Sequence, residues 1–283
     1  MTTRALVLGG GGIAGIAWET GVLAGLAEQG VDVTGADVVI GTSAGSAVAA
    51  QLTSGTPVEE LLARQVDPAA QYPELTPTMD VQWMLEEYGK IFTTAADAAD
   101  MRRRLGAVAL AAETVSEAAR RDVVAGRLPV PDWPDRDLRI VAVDTADGEP
   151  VVFDRTSGVE LVDAVAASCS VPGVWPSVTI GDRRYMDGGM RSGENADFAT
   201  GFDRVLVLVV QEFEVPKEWG VHLDAQIGRL TAAGSVVEVI RADEASLLAF
   251  TDNLLDPATR TPSGLAGLAQ GRAEAARVAK FWA

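Results

Sequence analysis

Val38-Val39-Ile40-Gly41-Thr42-Ser43-Ala44-Gly45 decides how this chain is read. An apolar, β-branched run leads into Gly-x-Ser-x-Gly, and small residues continue to Leu52. The run predicts a buried strand, and the small residues that follow predict a closely packed helix. Between them, Gly41 and Gly45 permit a turn too tight for larger side chains, which lifts the Ser43 hydroxyl clear of the sheet. Ala44 opens the helix, so its N–H faces outward and the helix dipole favours negative charge there. A serine held this way suits nucleophilic attack on a carbonyl. A helix start built from small capping residues needs the same residue types, so the pentapeptide alone does not choose between them.

Upstream, Arg4-Ala5-Leu6-Val7-Leu8 reads as a second buried strand, ending in the four-glycine run Gly9 to Gly12. Residues from about Ala14 to Gln29 have helical spacing, with Ile16, Leu23 and Leu26 on one face and Gly30 as the stop. Strand, helix, strand, helix implies a parallel sheet with right-handed crossovers. A glycine loop beside the serine turn also offers backbone N–H groups to the oxyanion that forms during acyl transfer.

Downstream, residues 57–128 read as mostly helical, broken by Pro57, Pro68, Pro73 and Pro77. Strands are expected at Leu138 to Val143, Val151 to Phe153, Arg183 to Met186 and Arg204 to Val210, and a helix at Leu161 to Ser168. The final third reads as helical. The fold expected is a single α/β domain over 1–283, with 57–128 as a helical insertion able to act as a lid.

The formal charge of −17 comes from 23 basic and 40 acidic residues. It argues against nucleic acid, whose binding needs a basic footprint, and against strong attachment to anionic membranes. One cysteine, Cys169, and one histidine, His222, allow neither an internal disulfide nor a Cys/His metal cluster, so no metal or cofactor is expected. The stretch from Ala5 to Ala27 contains the glycine loop and Glu19, which breaks any membrane span or signal sequence. The expected compartment is therefore the cytoplasm.

Asp187-Gly188-Gly189 follows the Arg183 to Met186 strand and completes a set. A glycine loop after the first strand, Gly-x-Ser-x-Gly after the next and Asp-Gly-Gly after a late strand resemble the patatin-like phospholipase family in that order. Ala167-Ser168-Cys169-Ser170-Val171-Pro172 is similar to the family's Ala-Ser-x-x-x-Pro stretch. The resemblance runs from about Leu6 to Leu208 and implies a three-layer α/β/α fold with a mostly parallel sheet. It implies Ser43 as nucleophile, Asp187 as base, and an oxyanion hole from the amides of Gly10, Gly11 and Gly12, to which Ala44 adds. Gly41, Gly45, Gly188 and Gly189 shape the two turns. The implied activity is hydrolysis of lipid acyl esters without a cofactor, with lipid as partner and transient contact with a membrane surface. One position departs from the pattern: Ala14 stands where the family commonly carries Arg or Lys.

A dyad has a chemical consequence. An ordinary aspartate, with a pKa near ~4, is a weak base toward a serine hydroxyl. The oxyanion donors must then supply much of the barrier reduction, at ~3–4 kcal/mol for one donor. The activity profile of such a dyad is expected to lack an inflection near ~6.5, where a histidine titrates.

Other readings use the same residues. Gly10-x-Gly12-x-x-Gly15 matches a dinucleotide fingerprint, but Asp32 and Asp37 precede the second strand instead of closing it. Ser43, Asp187 and His222 occur in the order of an α/β-hydrolase triad, yet only two strands fit before Ser43, and His222 reads as a surface helix start. A non-catalytic lipid-binding domain would not need both Ser43 and Asp187. Cys169 reads as a small buried neighbour of the site, and Trp175 as an acyl-pocket wall or core residue. Arg102-Arg103-Arg104 and Arg120-Arg121 read as solvated helix faces.

Overall fold

The structure is a computed structural model that describes residues 2–77, 81–212 and 222–283. Eight strands form one mixed sheet. Its parallel block contains β1 (Arg4–Leu8), β2 (Val38–Thr42), β3 (Asp137–Asp144), β7 (Arg204–Val209) and β8 (Val236–Arg241), in the order β3-β2-β1-β7-β8. Near-continuous Val, Leu and Ile suit strands buried on both faces. The helices α1 (Gly12–Glu28), α2 (Ala44–Thr53) and α7 (Leu161–Ser168) cover one face, where Leu6, Leu8 and Val39 point. Ala5, Val7 and Ile40 point to the other, beneath α8 (Leu223–Ala232) and the 3₁₀ turn Ala196–Ala199. This is the expected three-layer α/β/α arrangement.

The remaining strands run antiparallel. β4 (Pro150–Phe153) pairs with Ile140 to Val143 of β3, and β6 (Arg183–Asp187) with Ala142 to Asp144. β5 (Val178–Ile180) closes a hairpin onto β6. Ile140 and Val141 pair with both β2 and β4, which therefore flank β3 on opposite sides. Ala142 and Val143 pair with both β4 and β6, so β6 lies on the side where β2 has just ended. Thr42 is opposite Val141, and Asp187 is opposite Ala142. Register alone thus brings the end of β6 to the residue that follows β2.

The stretch 57–128 carries α3 (Val58–Val66), α4 (Val81–Thr94), α5 (Ala98–Ala111) and α6 (Glu117–Arg127). Ile91, Met101, Leu105 and Ala109 pack with Val143 and Met186, so α4 and α5 rest on the β3–β6 junction. The final third departs from expectation. Besides α9 (Glu244–Phe250) and α10 (Arg260–Trp282) it contributes β8, whose Val-Val-Glu-Val-Ile core pairs in parallel with β7. Helix α1 is buried nearly all round rather than on one face, because α10 closes its outer side. The contact is glycine on glycine. A Cβ on Gly21 would lie 2.3 Å from the Gly264 carbonyl oxygen, and one on Gly271 would lie 2.2 Å from that of Val22. Among the described residues no helix is long and apolar enough to cross a membrane.

Candidate active site

Ser43 sits between β2 and α2 with φ of 52° and ψ of −117°, a conformation L residues rarely hold. The surroundings hold it there. Its N–H donates to Ser168 Oγ at 2.9 Å, and Ser168 Oγ in turn donates to the Val141 carbonyl at 2.6 Å. The Ser43 carbonyl accepts from Ser46 Oγ at 2.6 Å and from Cys169 Sγ at 3.2 Å. Close approach explains the outer glycines. A Cβ on Gly45 would lie 2.1 Å from the Leu8 carbonyl oxygen, and one on Gly41 would lie 2.5 Å from that of Gly45. Ser43 itself is only partly buried, so its hydroxyl remains within reach.

Asp187 ends β6 and is 1% exposed. Its Oδ1 accepts the Gly189 N–H at 2.7 Å, and its own N–H donates to the Ser170 carbonyl at 2.9 Å. Its Oδ2 is buried without a hydrogen-bond partner. The Ser43 hydroxyl comes near enough to favour the ionised carboxylate, but the pair does not reach good distance and angle. Such bonds often tighten only when substrate is bound. Burial pushes the Asp187 pKa up to about 7, against the opposing pulls of the Ser43 hydroxyl, the Gly189 N–H and the Arg120 charge. Asp187 is therefore a stronger base than an ordinary aspartate. That shift brings the Asp187 carboxyl into the range where a histidine titrates, so an inflection there would not by itself distinguish the two groups.

The glycine loop approaches Ser43 from β1. A Cβ on Gly10 would stand 3.4 Å from Ser43 Cβ, so the two turns face each other. The Gly10 N–H donates to the Gly193 carbonyl at 2.8 Å, which occupies it in this conformation. Among the described residues, the N–H groups of Gly11, Gly12 and Ala44 have no such acceptor outside their helices. A Cβ on Gly11 would fall 2.5 Å from Val210 Cγ1, and Gly12 has φ of 62°. The Gly9 N–H donates to Glu19 Oε1, and the Gly9 carbonyl accepts the Gly45 N–H at 2.9 Å.

The loop after Asp187 is knitted by Asn195, in the left-handed region at φ of 54° and completely buried. Its Nδ2 donates to the Gly188 and Ser192 carbonyls at 3.1 and 2.8 Å and to Thr42 Oγ1 at 3.1 Å. It joins the Asp187 turn to β2. A Cβ on Gly188 would lie 2.3 Å from the Val141 carbonyl oxygen, whereas Gly189 faces Asp187 Oδ1.

The insertion contributes to the site. Tyr88 of α4 donates through its hydroxyl to the Pro172 carbonyl at 2.8 Å, and burial together with the Asp187 charge raises its pKa. Arg120 of α6 is buried, not a solvated helix residue, and stacks 3.9 Å above the ring of Trp175, itself a core residue. Arg121 of the same pair reaches Asp163 and Glu160. Arg102 is buried, while Arg103 and Arg104 face solvent. Burial pushes Cys169 up, as expected of an inert neighbour.

His222 precedes α8, partly buried, and its Nδ1 has no hydrogen-bond partner, so it makes no triad contact with Asp187 through that atom. Lys217 to Val221 lie outside the described residues. No group of His, Cys, Asp and Glu able to hold a metal occurs among the described residues.

An elbow serine, a buried aspartate and a glycine loop facing the serine thus lie together on the α/β/α sheet. A sequence model of the patatin-like phospholipase family matches residues 6–200, more than half of the chain, and the protein belongs to that family of lipid acyl hydrolases. A search of curated protein sequences finds no match. Among solved structures, the type III effector ExoU is 18% identical with a TM-score of 0.41, over 98% of this chain and 53% of that one. VipD from Legionella pneumophila is 13% identical with a TM-score of 0.47, over 98% and 67% of the two chains. The ExoU–SpcU complex from Pseudomonas aeruginosa is 16% identical with a TM-score of 0.36, over 96% and 52%. The chain spans about half the length of ExoU.

Proposed function

We propose that this chain is a serine acyl hydrolase that cleaves carboxylic esters of lipids through a Ser43–Asp187 dyad. Ser43 Oγ attacks the ester carbonyl carbon while Asp187 Oδ2 takes the hydroxyl proton. The carbonyl oxygen becomes the oxyanion and is met by the N–H groups of Gly11, Gly12 and Ala44, with Gly10 tying the loop to Gly193. The tetrahedral intermediate collapses, the alcohol leaves with the proton from Asp187, and the acyl group stays on Ser43. Water then attacks the acyl-enzyme with Asp187 again as base, and as the acyl bond to Ser43 Oγ breaks that proton returns to Ser43, releasing the fatty acid. In this reading the helical stretch 57–128 covers the site through Tyr88 and Arg120. No metal or cofactor takes part.

One observation carries this reading. The buried, unpartnered Oδ2 of Asp187 is brought by sheet register beside a serine held in a strained turn. A fluorophosphonate probe is expected to add its mass to the peptide containing Ser43 and to nothing in Ser43→Ala. Ester hydrolysis by that variant is expected to fall by about 10³-fold or more. Unchanged turnover in Ser43→Ala would end the proposal. A panel of lipid and short-chain esters then separates a phospholipase from a small-ester esterase.

A further inference from the structure

Glu19 is a carboxyl group in a helix where almost every other buried position is Ala, Gly, Ile, Leu or Val. It is completely buried, although an apolar residue would pack there without desolvation cost. Side chains on a helix lean toward its N-terminus, so Glu19 reaches back along α1 to the loop that begins it. There Oε1 accepts the Gly9 N–H at 2.8 Å. Gly9 in turn accepts the Gly45 N–H, and Gly10 donates to Gly193. The bond to Glu19 thus stands in a chain that joins α1, the glycine loop and the helix of the nucleophile turn. Unlike those two neighbouring bonds, it is made by a side chain. Without it the Gly9 N–H would be a buried donor with no acceptor, which is unfavourable.

We propose that Glu19 is a positioning residue that seats the glycine loop against Ser43. The inference rests on the dyad reading above for its catalytic consequence, not for the contact itself. Burial holds the carboxyl pKa well above its ordinary value, the Gly9 N–H opposes this, and nearby Glu194 adds to it. The contact needs only an acceptor oxygen at this length from the backbone of α1, since Oε1 takes the Gly9 N–H. Glutamine has the same shape and the same acceptor.

The test compares Glu19→Gln, Glu19→Met and Glu19→Asp. Glu19→Gln is expected to keep kcat within about 3-fold of wild type. Glu19→Met keeps the length but loses the acceptor, and its kcat is expected to fall about 10–100-fold with KM within 2-fold, as for a displaced oxyanion donor. Should Glu19→Met fail to fold, Glu19→Asp reads the same contact, since it is one methylene short, with an expected loss of at least about 5-fold in kcat. Amide hydrogen exchange across Gly9 to Gly12, measured in a Ser43→Ala background, is expected to speed up in Met and Asp but not in Gln. Equal exchange in all four forms, wild-type kcat in both Met and Asp, or a Gln variant as slow as Met would each overturn the proposal. If wild type shows no Ser43-dependent hydrolysis while the exchange pattern holds, the dyad reading fails and the seating role stands.

Discussion

The two halves of the site are held by different physics. Ser43 is fixed by backbone geometry: a positive φ, hydrogen bonds on both its N–H and carbonyl, and glycines where a Cβ would strike the neighbouring chain. Asp187 is placed by register and then left under-solvated, with one oxygen bonded and the other bare. The first half stores conformational strain and the second stores electrostatic cost. Chemistry needs that division, since a nucleophile works by being aimed and a base by being reactive.

The strongest way to break the comparison is Asp187→Asn. Turnover is expected to fall by at least about 10³-fold, because an amide cannot take the serine proton. Stability moves the other way. A carboxyl whose pKa rises from 3.8 to about 7 on folding binds more protons folded than unfolded across that window. Its contribution is therefore full at low pH and lost as pH rises toward 7. Thermal melts at pH 8 are expected to show Asp187→Asn above wild type, with the gap closing by pH 4. A variant both inactive and less stable at pH 8 would refute the electrostatic half.

The backbone half is tested by Gly11→Ala. Its Cβ would collide with Val210, so the loop or Val210 must shift from its place. A loss of about 10²-fold in kcat is expected with little change in KM, read by steady-state kinetics on a soluble ester. Unchanged kcat would free this loop from any role in the reaction.

Smaller effects sharpen the picture. Arg120→Met removes a cation that lowers the Asp187 pKa, so the acid limb of kcat/KM, near pH 7 in wild type, is expected to move to higher pH. Activity then drops a few-fold at pH 7 and recovers at pH 9. A limb that stays in place would remove Arg120 from the electrostatics of the base. Last, His222→Ala is expected to change kcat/KM by less than about 2-fold, since among the described residues its Nδ1 has no hydrogen-bond partner. Because burial pushes the Asp187 pKa up to about 7, into the range of a histidine, this variant, and not the shape of the profile, separates the proposed dyad from a triad.

What the sequence revealed follows the same division. Backbone-determined features were legible: Gly11, Gly12, Gly41 and Gly45 occupy places where a Cβ would strike a neighbour, and α7 lies at Leu161–Ser168 as its pattern predicts. Features set by long-range pairing were not. Nothing local in Arg183 to Asp187 says that β6 runs antiparallel past the end of β2, which is what brings Asp187 to Ser43. β8 was hidden because Val236 to Ile240 lies between Ala-rich helical stretches, although its β-branched residues are a strand signal. Arg120 was misjudged by its charge, since only tertiary packing tells a buried arginine from a solvated one. Glu19 did leave a trace, a lone acid amid small and apolar residues, but its partner is a backbone N–H that no sequence displays.

The glycine seam between α1 and α10 has a consequence for the timing of assembly. The loop that faces Ser43 stands at the head of α1, and the outer side of α1 is closed by a helix encoded far downstream. Contacts between such distant segments form late, after the local turns and helices have been made. A growing chain thus presents its serine turn well before the helix behind the glycine loop is clamped. Under the proposed function, hydrolytic competence would arrive only with that last large packing event.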